Sequence, residues 1–204
     1  GLYASNAILA ALAYRERSGQ GQHIDLALLD VQVACMANQG MNFLYGGRSP
    51  SRLGNAHPNV VPYQDFPTAD GDVIIAVGND GQFARLCTAI GRPALATDER
   101  FATNLARIAH RVELIRLLRE CTLTRSTDEW VAALEAAEVP CGPINDLARV
   151  FEDAQVIARG MKIEVEHATA GAIPLVANPI RLSASPVAYR RAPPTLGQHT
   201  REVL

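Results

Sequence analysis

No apolar run in the sequence is longer than the stretch around 7–13, far short of the roughly 20 residues a membrane-spanning helix needs. An excess of cations is also missing. Lys and Arg number 19 against 21 Asp and Glu, a net charge of −2, so no broad basic face for nucleic acid or anionic lipid is implied. The four cysteines (Cys35, Cys87, Cys121, Cys141) form no CxxC pair and have no histidine at ligand spacing. That argues against a metal site or a disulfide framework, and for reduced, buried thiols in a cytoplasmic protein. A charged start followed by an apolar core and a small-residue cleavage site is not seen either. There is no GxxxxGK[ST] phosphate loop, no GxGxxG fingerprint and no Ser–His–Asp set. Paired-carboxylate motifs and repeats of 20–50 residues are also absent.

What is present reads as a globular chain, 48% apolar and 20% charged over 204 residues, enough to bury a sizeable core in one or two domains. It opens in mid-helix pattern without Met or a cap, and closes at GQHTREVL without a tapering tail. Helix ends without partners are costly, so the expectation is a portion of something longer.

Leu2, Ala7, Ile8, Ala11, Leu12 and Tyr14 mark a first helix that closes on Arg15, Arg17 and Gly19. HIDLALLD alternates like a strand, and Asp30 is placed to cap a helix running to Gly46. Helix, strand and helix in that order are an α/β signature. Residues 46–58 read as linker and loop, followed by strands over about 60–67 and 72–78 joined by the turn TADGD. Helices are expected from Asp80 to Gly91, over 104–122, and after a cap at Ser126 or Thr127, with Asp128 and Glu129 suiting the first turn. VPCGPI is a short extended link, two short helices follow, and 162–182 reads as a terminal β pair. The organisation predicted is 1–46 (helix–strand–helix), 47–172 (a smaller, inserted α+β unit) and 173–204 (a return segment).

A cluster of small and polar residues, LGNAHPN, spans residues 53–59. A hairpin needs only two turn residues, so the cluster suggests a close approach to the backbone. Gly54 permits positive φ, flanked by Asn55 and Ala56. His57, restrained by Pro58, suits a general acid/base or anion contact, or else a polar loop residue with an exposed side chain. Asp80 suits an N-cap, or with Gly78, Asn79 and Gly81 a set of backbone N–H groups facing an anion. Arg48 and Arg52 are candidates for phosphate contacts, or solvated loop cations. His110 and His199 read as structural.

Six segments in order resemble one family. They are GLYASNAILAALAYRERSGQGQHIDLALLD, LGNAHPNVVPYQDFPTADGDVIIAVGNDGQFARLC, DERFATNLARIAHR, VPCGPINDLARVFED, NPIRLSASP and APPTLGQHTREVL. The chain is similar along its length to the class III CoA-transferase family, also called CaiB/BaiF. The resemblance implies a Rossmann-like large domain, a small α+β domain inserted in it, and two subunits interlocked as a homodimer. It implies transfer of coenzyme A from an acyl-CoA to a carboxylic acid through an aspartyl acyl-enzyme, with no covalent cofactor. The family's nucleophilic Asp lies upstream of the segment matching Gly1, so no catalytic residue is expected within 1–204, and neither Asp25 nor Asp30 replaces it. LGNAHPN corresponds to the loop that closes over the acyl-enzyme, while Tyr63 and Asp80 match positions on the substrate side in related racemases. The other readings are an α-methylacyl-CoA racemase of the same fold and a non-catalytic CoA-binding or assembly protein.

Overall fold

The computed structural model describes all 204 residues. Its core lies in the middle of the chain, where β-patterned and helix-patterned segments meet. In β1 (Tyr63–Pro67) and β2 (Asp72–Ala76), alternate side chains point inward: Gln64 and Phe66 from one, Val73 and Ile75 from the other, while Ile74 stays exposed. The strands pair antiparallel with Phe66 opposite Val73, and β3 (Cys141–Pro143) pairs antiparallel on the far side of β2, with Cys141 opposite Ile75. Both strands are shorter than expected at their outer ends.

Helices cover the buried face of this sheet. Phe83, Leu86 and Cys87 come from α4 (Asp80–Ala89), and Leu114, Ile115, Leu118 and Cys121 from α6 (Arg111–Thr122). Trp130 and Leu134 come from α7 (Thr127–Ala136). Trp130 is fully buried, and its indole N–H donates to the Thr122 carbonyl at 2.7 Å, so the large ring carries no unsatisfied polar atom. The expected start of α7 is found: Ser126 accepts from Glu129 N–H while the Glu129 carboxylate accepts from Ser126 N–H, a capping box.

The turn between β1 and β2 is pinned to that helix start. Asp70 accepts from the Thr127 N–H at 2.7 Å, the Thr127 hydroxyl at 3.0 Å and the Thr68 hydroxyl at 3.2 Å. Donors aimed at a carboxylate favour its charged form, and the Thr127 N–H first of all holds Asp70 below its ordinary range.

Several expectations are corrected. Residues 23–27 pair with no strand; from Leu28 the chain enters α2 (Leu28–Ala34). Alternation is satisfied only by a ladder partner, and both sheets of the chain, β1–β2–β3 and β4–β5, are closed without it. Asp30 is not the cap of α2 but lies in its first turn, behind Ala27, which makes no side-chain bond. The helix expected up to Gly46 breaks at Cys35 and Met36, with Ala37 at φ 47°, and resumes as α3 (Ala37–Gly46). The long helix over 104–122 is two, α5 (Asn104–Ala109) and α6, parted at His110. Val112 faces solvent because the break rotates the apolar stripe onto Leu114. Cys35 is exposed rather than buried.

Short helices α8 (Leu147–Glu152) and α9 (Ala154–Ala158) lead to the hairpin of β4 (Lys162–His167) and β5 (Gly171–Val176), as the terminal β pair anticipated. Position 172 lies inside β5. An irregular segment and α10 (Thr200–Val203) close the chain. No helix is long and apolar enough to cross a membrane.

The first 46 residues contrast with the core. The first helix, α1 (Leu2–Ser18), ends as expected on Gly19 at φ 72°, yet α1, α2 and α3 contain no buried residue. Leu2, Leu28 and Tyr45 are about nine-tenths exposed or more. Apolar surface on that scale associates. The 204-residue chain should therefore run above its monomer mass of 21.9 kDa in multi-angle light scattering. A monodisperse monomer would contradict this.

A pH dependence follows from Asp70. Its folded-state pKa is depressed, so its contribution to stability is present above the unfolded value, near 3.9, and is lost as pH falls through the folded one. Asp70→Asn should flatten the decline in melting temperature below about pH 4 and leave the slope near pH 7 unchanged. Thermal melts by circular dichroism from acid to neutral pH check this.

Candidate functional site

The cluster at 53–63 starts with a tight turn in which Ala56 N–H donates to the Leu53 carbonyl at 3.2 Å, with Gly54 at φ 60°. A Cβ at Gly54 would meet nothing within 4 Å. The demand for glycine is therefore conformational and not a matter of space. Asn55 is exposed and Ala56 half-buried.

His57 is half-buried, not exposed as expected. The cause is Tyr63, whose ring stacks on the imidazole at 5.3 Å between centroids and 17° between planes. The backbone N–H of His57 donates to the Tyr63 carbonyl at 2.9 Å, which folds the loop back on the first residue of β1. His57 Nδ1 accepts from Asn59 N–H at 3.1 Å. With Nδ1 used as an acceptor, the neutral ring carries its proton on Nε2, which makes no hydrogen bond within the chain. The loop therefore offers one free N–H donor on a fixed ring.

Behind the loop stands one face of α5 and α6. Asn104 accepts from Val61 N–H at 3.1 Å and donates to the Asn59 carbonyl at 2.9 Å. Arg107 donates to the Val61 carbonyl at 2.6 Å and the Phe101 carbonyl at 2.9 Å, and pairs with Asp80 at 2.8 Å. Its guanidinium is fully buried over the Phe83 ring, 4.4 Å from the centroid. Arg111 donates to the carbonyls of His57 and Pro58. Asn42 of α3 and Asn59 also exchange two amide hydrogen bonds, at 3.2 and 3.1 Å.

Asp80 is not the N-cap of α4. Asn79 is, accepting from Gln82 N–H at 2.9 Å, while the Gln82 side chain takes the Gly78 N–H at 2.6 Å. One of the N–H groups proposed to face an anion, that of Gly78, is thus already used. Asp80 faces Arg107 instead, and through it reaches the loop. The structure therefore links His57 with Tyr63 directly, and Asp80 through Arg107 and Val61, in one network, while Gly54, Asn55 and Ala56 form the adjoining turn without a hydrogen bond to it. Arg48 and Arg52 remain outside it, exposed and in no ion pair. No three His, Cys, Asp or Glu side chains come together as metal ligands would.

Sequence reasoning missed Asn104, Arg107 and Arg111. The available signal was position: the two arginines fall in line with Ile115 and Leu118 at i, i+4, i+8 and i+11, on the stripe meant for the core.

Residues 1–200 match a family model described as CoA-transferase family III. Over 204 residues the chain is 52% identical to the succinate–glutarate CoA-transferase of Agrobacterium fabrum (strain C58 / ATCC 33970), covering 100% of this chain and 51% of that protein. It is 40% identical to the Homo sapiens succinyl-CoA:glutarate CoA-transferase, again over the whole chain and 47% of the relative. A solved structure of a CAIB/BAIF family protein from Brucella suis shares the fold with a TM-score of 0.80 at 48% identity, over 100% of this chain and 52% of that one. The chain spans about half the length of the curated relatives it matches.

Removing Arg107 strands two carbonyls in the core, whereas removing the charge of Asp80 leaves those bonds in place. Arg107→Met should cost about 3 kcal/mol of folding stability, and Asp80→Asn, at a half-exposed carboxylate, about 1 kcal/mol. Urea titrations decide: equal losses would mean that the carboxylate, not the carbonyls, holds the guanidinium.

Proposed function

The chain belongs to CoA-transferase family III, and from that premise we propose that it is part of an acyl-CoA:carboxylate CoA-transferase whose donor and acceptor are short dicarboxylic acids. The observation that carries this reading is the 52% identity, unbroken over all 204 residues, to a relative named for succinate and glutarate. Transfer is favoured over racemisation because the relatives are named for it.

In the proposed reaction an aspartate attacks the acyl-CoA thioester, giving an acyl–aspartyl anhydride and CoA thiolate. The thiolate then attacks the anhydride at the aspartyl carbonyl, forming an aspartyl thioester and freeing the donor acid. The acceptor carboxylate attacks that thioester, giving a second anhydride and CoA thiolate, and the thiolate attacks the acceptor's carbonyl to form the new acyl-CoA and free the aspartate. The nucleophile is assigned to no residue of 1–204, since the family's Asp falls before the segment matching Gly1. Asp25 and Asp30 are exposed and unsupported. The role of this chain is to cover the intermediates. Residues 53–58 form the lid, Gly54 supplies its turn, and the free Nε2–H of His57 donates to the carboxylate of the acyl group or acceptor. Tyr63 supports the imidazole from below, and Asp80 sets Arg107. A water-excluding lid matters because both the anhydride and the thioester hydrolyse.

The same proposal carries the division into 1–46, 47–172 and 173–204, the Rossmann-like larger domain and the interlocked homodimer. It also includes the cytoplasmic location, the lack of nucleic-acid or membrane partners, and coenzyme A as substrate rather than resident cofactor. Arg48 and Arg52, exposed and unpaired, are assigned to CoA phosphates.

The test follows CoA transfer from succinyl-CoA to glutarate and CoA release by hydrolysis in parallel. The complete gene product should transfer, and the 204-residue chain alone should stay at background. His57→Ala should weaken acceptor use by about 1–2 kcal/mol and raise the ratio of hydrolysis to transfer. Gly54→Val should cost catalysis more than folding, because a β-branched residue resists positive φ in an exposed loop. Exchange by the chain alone would remove the assignment of the nucleophile, and unchanged rates in both variants would remove the lid.

A further inference from the structure

His57 and Pro58 present adjacent carbonyls to a single side-chain nitrogen. Arg111 Nη2 donates to the first at 2.8 Å and to the second at 2.9 Å. No carboxylate pairs with this arginine. Its Nη1 is buried with no hydrogen-bond partner, and burial pushes the guanidinium below its ordinary pKa. Half-buried and without a counter-charge, the guanidinium has the two loop carbonyls as its hydrogen-bond partners. The loop is thus held to α6 by two charge-assisted bonds from one side chain.

The consequence falls on His57. Its carbonyl is fixed by Arg111, its N–H by the Tyr63 carbonyl, and its ring by Tyr63 and the Asn59 N–H. One residue is therefore held at both ends of its backbone and on its side chain. Upstream, the turn at Gly54 is closed by one backbone bond only. We propose that Arg111 is a positioning residue. It immobilises His57 and Pro58 so that the loop pivots at Gly54 while the Nε2–H of His57 keeps one place relative to the substrate carboxylate. This inference rests on the reading of 53–58 as a lid.

The experiment compares Arg111→Met, Arg111→Lys, His57→Ala and the double variant Arg111→Met/His57→Ala in the complete gene product, measuring transfer and hydrolysis together. Arg111→Met should raise the hydrolysis-to-transfer ratio about threefold to tenfold, the effect of a hydrogen bond of ordinary strength. Arg111→Lys, which keeps a charge and donors, should recover most of it. On the His57→Ala background, Arg111→Met should add nothing, because its effect passes through the missing ring. Multiplicative effects in the double variant would overturn the inference. So would a wild-type ratio in Arg111→Met beside an impaired His57→Ala, with the lid reading left standing. If His57→Ala itself is silent, the lid reading falls. Positioning is then judged by the His57 ring resonances in histidine-labelled protein, which Arg111→Met must move off their Tyr63-stacked positions, and unmoved resonances would overturn it. Should the methionine variant fail to fold, Arg111→Lys serves in its place, with a smaller rise that vanishes on the His57→Ala background.

Discussion

One buried cation sets the distances on which the middle of the molecule depends. Arg107 reaches Val61 before β1, Phe101 before α5 and Asp80 at the head of α4, and lies over the Phe83 ring. The chain around 61, the head of α4 and the segment 101–107 therefore meet around one planar group. Taking a charge out of water is unfavourable by several kcal/mol, so the arrangement is stable only when every donor finds its acceptor. The guanidinium fork has rigid angles, and this requirement dictates where each of the three oxygens must stand. A lysine could satisfy the charge but not the geometry.

The same helix face explains the state of the loop. Asn104, Arg107 and Arg111 read the backbone of 57–61 rather than its side chains. Backbone groups without strand or helix partners must be satisfied somewhere, and here side chains from α5 and α6 replace the missing ladder. The composition of the loop is then free to serve another purpose, which leaves room for Gly54 and an imidazole.

How much of this was legible depended on range. The Ser126 cap, the Gly19 stop and the β4–β5 pair follow from residues within a few positions of one another, and each was found where expected. Gly54 was marked by composition and has the positive φ that marking implied. What failed needed distant partners. Alternation over 23–30 suggested a strand, but alternation cannot supply a neighbour to pair with. Asn79 and Asp80 are both good caps; Asn79 takes the cap, and Asp80 pairs with Arg107, 27 residues away. Arg107 and Arg111 were hidden because an arginine on an apolar stripe looks like a flaw in the stripe until its oxygen partners are placed.

The paired amides of Asn42 and Asn59 join α3 to the loop, with Asn59 exposed and Asn42 half-buried. Bonds of that kind exchange for bonds to water with little net change in free energy, unlike those of the fully buried Arg107, whose release would strand buried groups. The loop is therefore mounted asymmetrically: riveted on the α5–α6 side, and only latched on the α3 side. A displacement of α3 would open the latch and leave the rivets untouched. Motion of the first 46 residues is thus mechanically insulated from the core, while the imidazole stays registered to the sheet behind it.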